Sequence, residues 1–225
     1  MSESPDLTIS RARRNKAVLD AVRLERNRIL LQRARAAEPD IWSGEPLVSI
    51  RIPTFDRPRL LLERAIASAL SQSYRHIQVV VVGDGEGSET ARAVATVGDP
   101  RLRYENLPER PRYPSFPRFY WSTAGTYAVN RALELARGSW IAPLDDDDTF
   151  TPDHVEGLLA AAQRDHLEMV YSQMDVLFAS SDGGPPVWRP LGRLPLAQGR
   201  ICHGSALYSS RLLGLRYDPL CWLED

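Results

Sequence analysis

Ile77-Gln78-Val79-Val80-Val81-Val82 constrains the fold more than any other stretch of the chain. Five of the six residues are β-branched, and apolar and polar positions do not alternate. A strand of this kind is buried on both faces. Such strands belong to parallel sheets, whose crossover helices cover both sides. The flanking segments agree. Leu47 to Ile52 reads as a first strand that Pro53 ends. Pro58 opens a helix with apolar positions at Leu61, Leu62, Ala65, Ile66, Ala69 and Leu70. Gly83 to Gly87 turns the chain, Ser88 to Val97 reads as a helix, and Arg101 to Tyr104 as a short third strand. The order βαβαβ predicts an α/β fold with a mostly parallel, doubly wound sheet.

The pattern then breaks. Residues 106–119 hold Pro108, Pro111, Pro114 and Pro117 with Arg110, Arg112 and Arg118, a long irregular loop. Its arginines suit a phosphate, and equally a solvated surface. Thr123 to Arg137 reads as a helix capped by Gly138, followed by a strand over 139–144. A helix over 152–165 and one long strand over 168–178 come next. Ser180 to Pro186 is rich in turn residues. Residues 187–225 are less regular, with a short helix expected at Ser209 to Leu213. No internal repeat is evident.

The apolar run Trp140 to Leu144 ends in four carboxylates, Asp145-Asp146-Asp147-Asp148. Past the C-terminal end of a strand is where open α/β sheets bind ligands. Two like charges ~6 Å apart repel by about 3 kcal/mol at an effective dielectric of 20. Solvent or a cation must offset that. Oxygen-only ligands favour Mg²⁺, Mn²⁺ or Ca²⁺ over zinc. A helix start explains part of the run: Thr151 as N-cap, Pro152 at N1 and Asp153 at the positive end of the dipole. It leaves Asp145 to Asp147 without a role, either a solvated acidic turn or a metal and phosphate site. Asp84 follows the second strand and opens onto the same sheet edge, where it could accept an N–H from a nucleobase. No glycine-rich phosphate loop follows any strand, so P-loop and dinucleotide readings are weak.

The chain has 225 residues and a net charge of −1, so the whole molecule is no obvious polyanion binder, and no nucleic-acid partner is expected. The charge is unevenly placed. Residues 11–37 hold nine Arg or Lys against Asp20 and Glu25, a net of +7, ahead of an acidic body. They read as one helix on which Val18, Val22 and Ile29 share a face with Leu19 and Leu30. That helix suits packing on the body or on a second copy in a homodimer. Peripheral contact with an anionic membrane is the rival, and the absence of Trp and Phe from the face counts against it. Glu38 to Pro46 reads as a linker. Cys202 and Cys221 have no metal spacing, and no disulfide framework is indicated. No apolar run is long enough to span a bilayer. The first residues lack a secretory pattern, so a cytoplasmic protein is expected.

Several segments, taken in order, resemble family 2 glycosyltransferases of the GT-A fold. They are Val48 to Arg57, Ala67 to Tyr74, Val79 to Asp84, Asn130 to Leu133, Ala136 to Gly138, and Leu144 to Asp148 with Pro152. The resemblance implies a Rossmann-type GT-A-like domain over 46–225, preceded by a basic helical arm and linker over 1–45. It implies an inverting, metal-dependent transfer of a sugar from a nucleotide-diphosphate donor to a carbohydrate or other hydroxyl acceptor. Pro53 and Thr54 match the segment lining the nucleoside pocket, and Asp84 the base-binding carboxylate. Asp145 to Asp147 match the D-x-D motif, with Asp147 as main ligand of Mn²⁺ or Mg²⁺ and Asp145 and Asp146 near ribose and metal. His203 matches a region near the diphosphate or metal in some members, and Arg118 is a candidate phosphate contact. Glu224-Asp225 match the acidic pair that supplies the catalytic base, Asp225 taking that role. The acceptor side beyond it is expected to be short or truncated. Gly83 and Glu86 depart from the family pattern, which usually has an acidic residue and a Ser there. A carboxylate facing the base suits uracil or thymine N3–H, so UDP or dTDP donors are favoured. Two rivals stand beside this reading: a sugar nucleotidyltransferase, for which the glycine-rich basic loop is lacking, and a nucleotide-sugar or metal-binding module without turnover.

Overall fold

The computed structural model describes residues 22, 24–38, 40–117, 120, 123–178, 184–192 and 201–214. Its centre is a six-stranded sheet in the order β3-β2-β1-β4-β8-β5. Strands β1 (Val48–Thr54), β2 (Ile77–Gly83), β3 (Leu102–Asn106) and β4 (Trp140–Pro143) run parallel. Strand β8 (Ala206–Ser209) pairs antiparallel with both β4 and β5 (Met169–Tyr171). Strands β6 (Met174–Phe178) and β7 (Val187–Leu191) form a separate two-stranded ribbon.

The valine run behaves as its composition requires. Val79 and Val81 face one side of the sheet, with Leu61, Ala65 and Ile66 of helix α2 (residues 58–70) and Leu158, Leu159 and Ala162 of helix α5 (His154–Asp165) in the same core. Val80 and Val82 face the other side and meet Ala128, Ala132 and Leu135 of helix α4 (Thr126–Leu135). All four valines are fully buried. Successive side chains of a strand point to opposite faces, so an unbroken apolar run needs a helix on each. Helix α3 (Ser88–Ala95) adds Val94 to the first layer.

Several local expectations are corrected. Pro53 lies inside β1, opposite Val82. The Arg51 carbonyl accepts from Leu144 and the Thr54 carbonyl from Asp84, so Pro53 turns its missing N–H toward the β4 side. The ladder with β4 stops at Arg51, and no ladder bond is lost there. Helix α2 starts with Pro58 at its first position as expected, but is π-helical over Leu61–Ile66. Gly138 does not cap α4: the helix ends at Leu135, and Ala136 is already extended. A Cβ on Gly138 would lie 2.5 Å from the Leu47 carbonyl oxygen, so glycine is required by close approach of the chain to the start of β1. Nor does Thr151 cap α5. Gln72, fully buried, accepts from the Val155 N–H at 3.0 Å and donates to the Thr151 carbonyl at 2.7 Å, satisfying the helix end from another element.

The expected strand over 168–178 is two strands in different sheets, broken at Ser172-Gln173. Within the less regular region expected from residue 187, the described residues include strands β7 and β8, and the short helix is 3₁₀, Ser210–Gly214; 193–200 and 215–225 lie outside the described residues. The segment read as a linker is pinned to the body. Ile41 is buried in the core, and the Trp140 indole donates to its carbonyl at 3.0 Å. Helix α1 (residues 24–37) meets the body near its C-terminal end, where Arg35 binds Glu168 through two bonds of 2.9 and 2.6 Å. Val22, Leu24 and Ile29 are exposed.

Candidate functional site

From β1 the chain crosses to β2 on one side, and later returns to β4 on the other. The two neighbouring loops diverge at this switch point, the place where open α/β sheets form a ligand crevice. Thr54, the last residue of β1, joins the two acidic turns. Its carbonyl accepts from the Asp84 N–H at 2.9 Å, and its hydroxyl donates to Asp146 Oδ2 at 2.9 Å. Pro53, Thr54, Asp84 and Asp146 therefore meet at one sheet edge.

The four aspartates do not share one environment. Asp146 is 7 % exposed and wrapped by the segment after β1: Thr54, the Phe55 N–H and Arg57 all donate to it. Burial still raises its pKa above the ordinary carboxylate value. Asp147 takes a 2.8 Å bond from Arg57 Nη1. Asp145 and Asp147 turn outward, with 55 % and 45 % of their side chains exposed. Asp148 is pushed up to about 6, by burial first and then by the charges of Asp145 and Asp147. The turn thus carries more negative charge than its surroundings offset, and its exposed donors are hard oxygens. A divalent cation of the Mg²⁺ or Mn²⁺ type fits that donor set. Among the described residues, no three His, Cys, Asp or Glu side chains converge on one point as a closed metal cage.

A buried cation underlies the turn. Arg51 is 1 % exposed, with Nη1 3.9 Å from Asp145 Oδ1 and Nη2 3.1 Å from His203 Nδ1. Burial, then the Arg51 charge, lowers the His203 pKa to about 4, so the ring is neutral at pH 7 and accepts from the guanidinium. Glu86, one of the departures from the family pattern, is a structural knot. It accepts from the Asp56 N–H at 2.7 Å, the Thr90 hydroxyl at 2.8 Å and the Tyr104 hydroxyl at 3.1 Å. It thereby ties the loop after β1 to the turn after β2.

A cleft of about 480 Å³ opens beside the acidic turn, lined by Arg64, Asp148, His154, Met174, Trp188 and Gly204 among others. His154 stacks on Phe150 with ring centroids 4.1 Å apart, and its Nε2 has no hydrogen-bond partner among the described residues. Burial lowers its pKa from 6.5 to about 4. The unfolded chain therefore binds this proton between pH 6.5 and 4 while the folded chain does not, and stability falls as pH falls through that window. Relative to His154→Phe, the wild-type protein is expected to lose about 1–2 kcal/mol between pH 7 and pH 5. Urea denaturation of both proteins at the two pH values checks this, and a gap that stays constant with pH contradicts it.

Of the residues expected at the site, the structure brings Pro53, Thr54, Asp84 and Asp145 to Asp147 to one edge, with His203 behind Arg51. Arg118, Glu224 and Asp225 lie outside the described residues. Sequence reasoning assigned no part to Arg57 or Arg51, although both fall in the segment that carries the resemblance. It also missed Tyr113, whose hydroxyl donates to Asp84 Oδ1 at 2.7 Å. A tyrosine within a proline-rich loop gives no sequence signal of that contact.

Sheet order and flanking helices together define an α/β domain of the GT-A type. The chain belongs to glycosyl transferase family 2, whose pattern matches residues 49–115 and 118–220. It is 37 % identical over 120 residues to the succinoglycan biosynthesis protein ExoO of Rhizobium meliloti, covering 53 % of this chain and 30 % of that one. It is 30 % identical over 175 residues to a chondroitin synthase of Escherichia coli, covering 76 % of this chain and 24 % of that one. In both cases the chain spans less than a third of the relative's length. Among solved structures it is similar in fold to S. aureus TarS 1-349 in complex with UDP. The TM-score is 0.56 at 18 % identity, over 76 % of this chain and 50 % of that one. No helix among the described residues is long and apolar enough to cross a membrane.

Proposed function

We propose that the chain binds a nucleotide-diphosphate sugar, with UDP or dTDP as nucleotide, and transfers the sugar to a hydroxyl acceptor with inversion. The observation that carries this reading is Thr54, which joins Asp84 to the acidic turn through two 2.9 Å bonds at the switch point of a family 2 chain. One end of the crevice is then a base-binding carboxylate, and the other a cluster suited to a cation-bound diphosphate.

Asp147 and Asp145 are the residues that would hold Mn²⁺ or Mg²⁺. When bound, the metal supplies a Lewis acid that offsets the charge developing on the leaving nucleoside diphosphate. An ion held by one or two carboxylates completes its shell with phosphate oxygens and water, so the site needs no closed protein cage. His203 is a poorer ligand, since its Nδ1 faces the Arg51 guanidinium and a second cation would meet that charge. Asp146 positions rather than ligates: its oxygens are already engaged by Thr54 and Arg57. Arg57 bridges Asp146 and Asp147 and shields the turn before a cation arrives. Asp225, beside Glu224, takes the proton of the acceptor hydroxyl as general base.

Calorimetric titration of UDP, dTDP, GDP, CDP and ADP, with Mn²⁺ and with chelator, tests the reading. UDP or dTDP is expected to bind with Mn²⁺ and to lose binding in chelator. Failure of all five nucleotides to bind in the presence of metal sinks it.

A further inference from the structure

Tyr113 belongs to neither the acidic turn nor the strand ends, yet it holds the carboxylate that the proposed donor site assigns to the nucleobase. Asp84 is 3 % exposed, and one of its two oxygens, Oδ1, accepts the Tyr113 hydroxyl at 2.7 Å. The contact is built. The Tyr113 ring lies edge-on to Tyr120 and Tyr127, with centroids 6.2 and 5.9 Å apart. The loop that carries it crosses directly over Gly85, where any Cβ would strike the backbone of Glu109 and Arg110. Arg110 fixes the same loop twice: its guanidinium carbon lies 3.2 Å from the centre of the Phe55 ring, and its Nη2 donates to the Tyr120 hydroxyl at 3.1 Å. Two rings and a pinned loop thus hold the tyrosine in place over Asp84.

An oxygen that already accepts a hydroxyl at 2.7 Å keeps a second lone pair but is the poorer and more crowded acceptor, so Asp84 offers the base one fully open oxygen, Oδ2. Uracil and thymine present a single imide N–H between two carbonyls, and one oxygen satisfies it. Guanine presents N1–H beside N2–H₂, a pair that needs both oxygens, and a buried donor left without an acceptor is costly. Cytosine and adenine place a ring-nitrogen lone pair next to their amino group, which a carboxylate repels.

Resting on the donor-site reading above, we infer that Tyr113 is a specificity-determining residue: by occupying Asp84 Oδ1 it selects a one-donor base, uracil or thymine, over guanine. The residue acts by subtraction, weakening an acceptor that a wrong base would need at full strength.

The test is titration of UDP and of GDP, each with Mn²⁺, into the wild-type chain and into Tyr113→Phe, which keeps the ring contacts and removes only the hydroxyl. The wild-type chain is expected to bind UDP at least about tenfold more tightly than GDP, the scale of one unmatched buried donor. In Tyr113→Phe, GDP is expected to gain about fivefold or more while UDP changes by less than about threefold, on the same scale. Retained UDP binding also shows that the variant is folded. Equal or tighter GDP binding by wild type overturns the inference, as does an unchanged ratio in the variant. A parallel gain by both nucleotides overturns it too, marking Tyr113 as a plug that any base displaces. If the wild-type chain binds neither nucleotide, the donor-site reading itself fails, an outcome distinct from binding without discrimination.

Discussion

Asp147→Asn is expected to abolish Mn²⁺-dependent nucleotide binding and to lower sugar transfer by about 10²–10³-fold, the range seen when a charge-stabilising group is removed from a reacting centre. The size of the effect follows from how the four aspartates divide. Asp146 is buried and spoken for by Thr54, Phe55 and Arg57. Asp147 is half-exposed, and its partner among the described residues is an arginine whose own side chain is 51 % exposed. An ion pair that open to solvent is worth about 0–1 kcal/mol. Its loss therefore moves the melting temperature by no more than about 4 °C in a chain of this length. The expected pattern is a large loss of binding with little loss of stability. Removing the Asp147 charge also relieves Asp148, so its pKa falls from about 6 toward the ordinary range. Calorimetry with UDP and Mn²⁺, alongside a melting curve, separates the two effects. A variant that still binds nucleotide in a metal-dependent manner, within about threefold of wild type, removes Asp147 from the metal site.

The sheet was legible because its signal is local and strong. A run such as Ile77 to Val82 can be buried on both faces only with helices on each side, and α2, α3 and α5 lie on one face and α4 on the other. The place of the acidic turn at the sheet edge was legible for a related reason: a buried strand that ends in four carboxylates must release them where solvent or a cation can offset their charge. What stayed hidden depends on contacts distant in sequence. Gln72 caps α5 across 83 residues, from Gln72 to Val155, and nothing near Thr151 announces it. The Gly138 requirement arises from the approach of Leu47. The second partner of Asp84 comes from Tyr113, 29 residues on, through an irregular loop. Strand β8 was missed because Ala206 to Ser209 is short, and is buried by pairing with β4 and β5 rather than by its own pattern. Propensity and periodicity report what a segment prefers; caps, bases of clefts and shared carboxylates are set by which segments meet.

Trp140→Ala is expected to destabilise the fold by about 3–5 kcal/mol, as truncation of a buried aromatic does. Trp140 is fully buried at the first position of β4, opposite Val48 on β1 and Ser209 on β8. Its ring lies in the main core with Val48, Ile50 and Leu207. Its indole N–H donates to the Ile41 carbonyl at 3.0 Å, and so ties the segment before β1 to the sheet. Two losses therefore combine: a cavity where the ring stood, and a carbonyl left without that donor. Trp140→Phe separates them. It keeps most of the volume and removes the donor, so its cost is expected near 1–3 kcal/mol. Domains of this kind are stable by only about 5–15 kcal/mol, so the alanine variant approaches the unfolding threshold at 37 °C. Strand β4 delivers Asp145 to Asp148 to the crevice, and its loosening should weaken nucleotide binding before global unfolding. Urea denaturation of the three proteins, with UDP binding measured in the absence of urea, checks both statements. An alanine variant that loses less than about 2 kcal/mol would mean that the core closes over the cavity, outside the range for buried aromatics. A phenylalanine variant as damaged as the alanine one would place the cost in the Ile41 hydrogen bond rather than in packing.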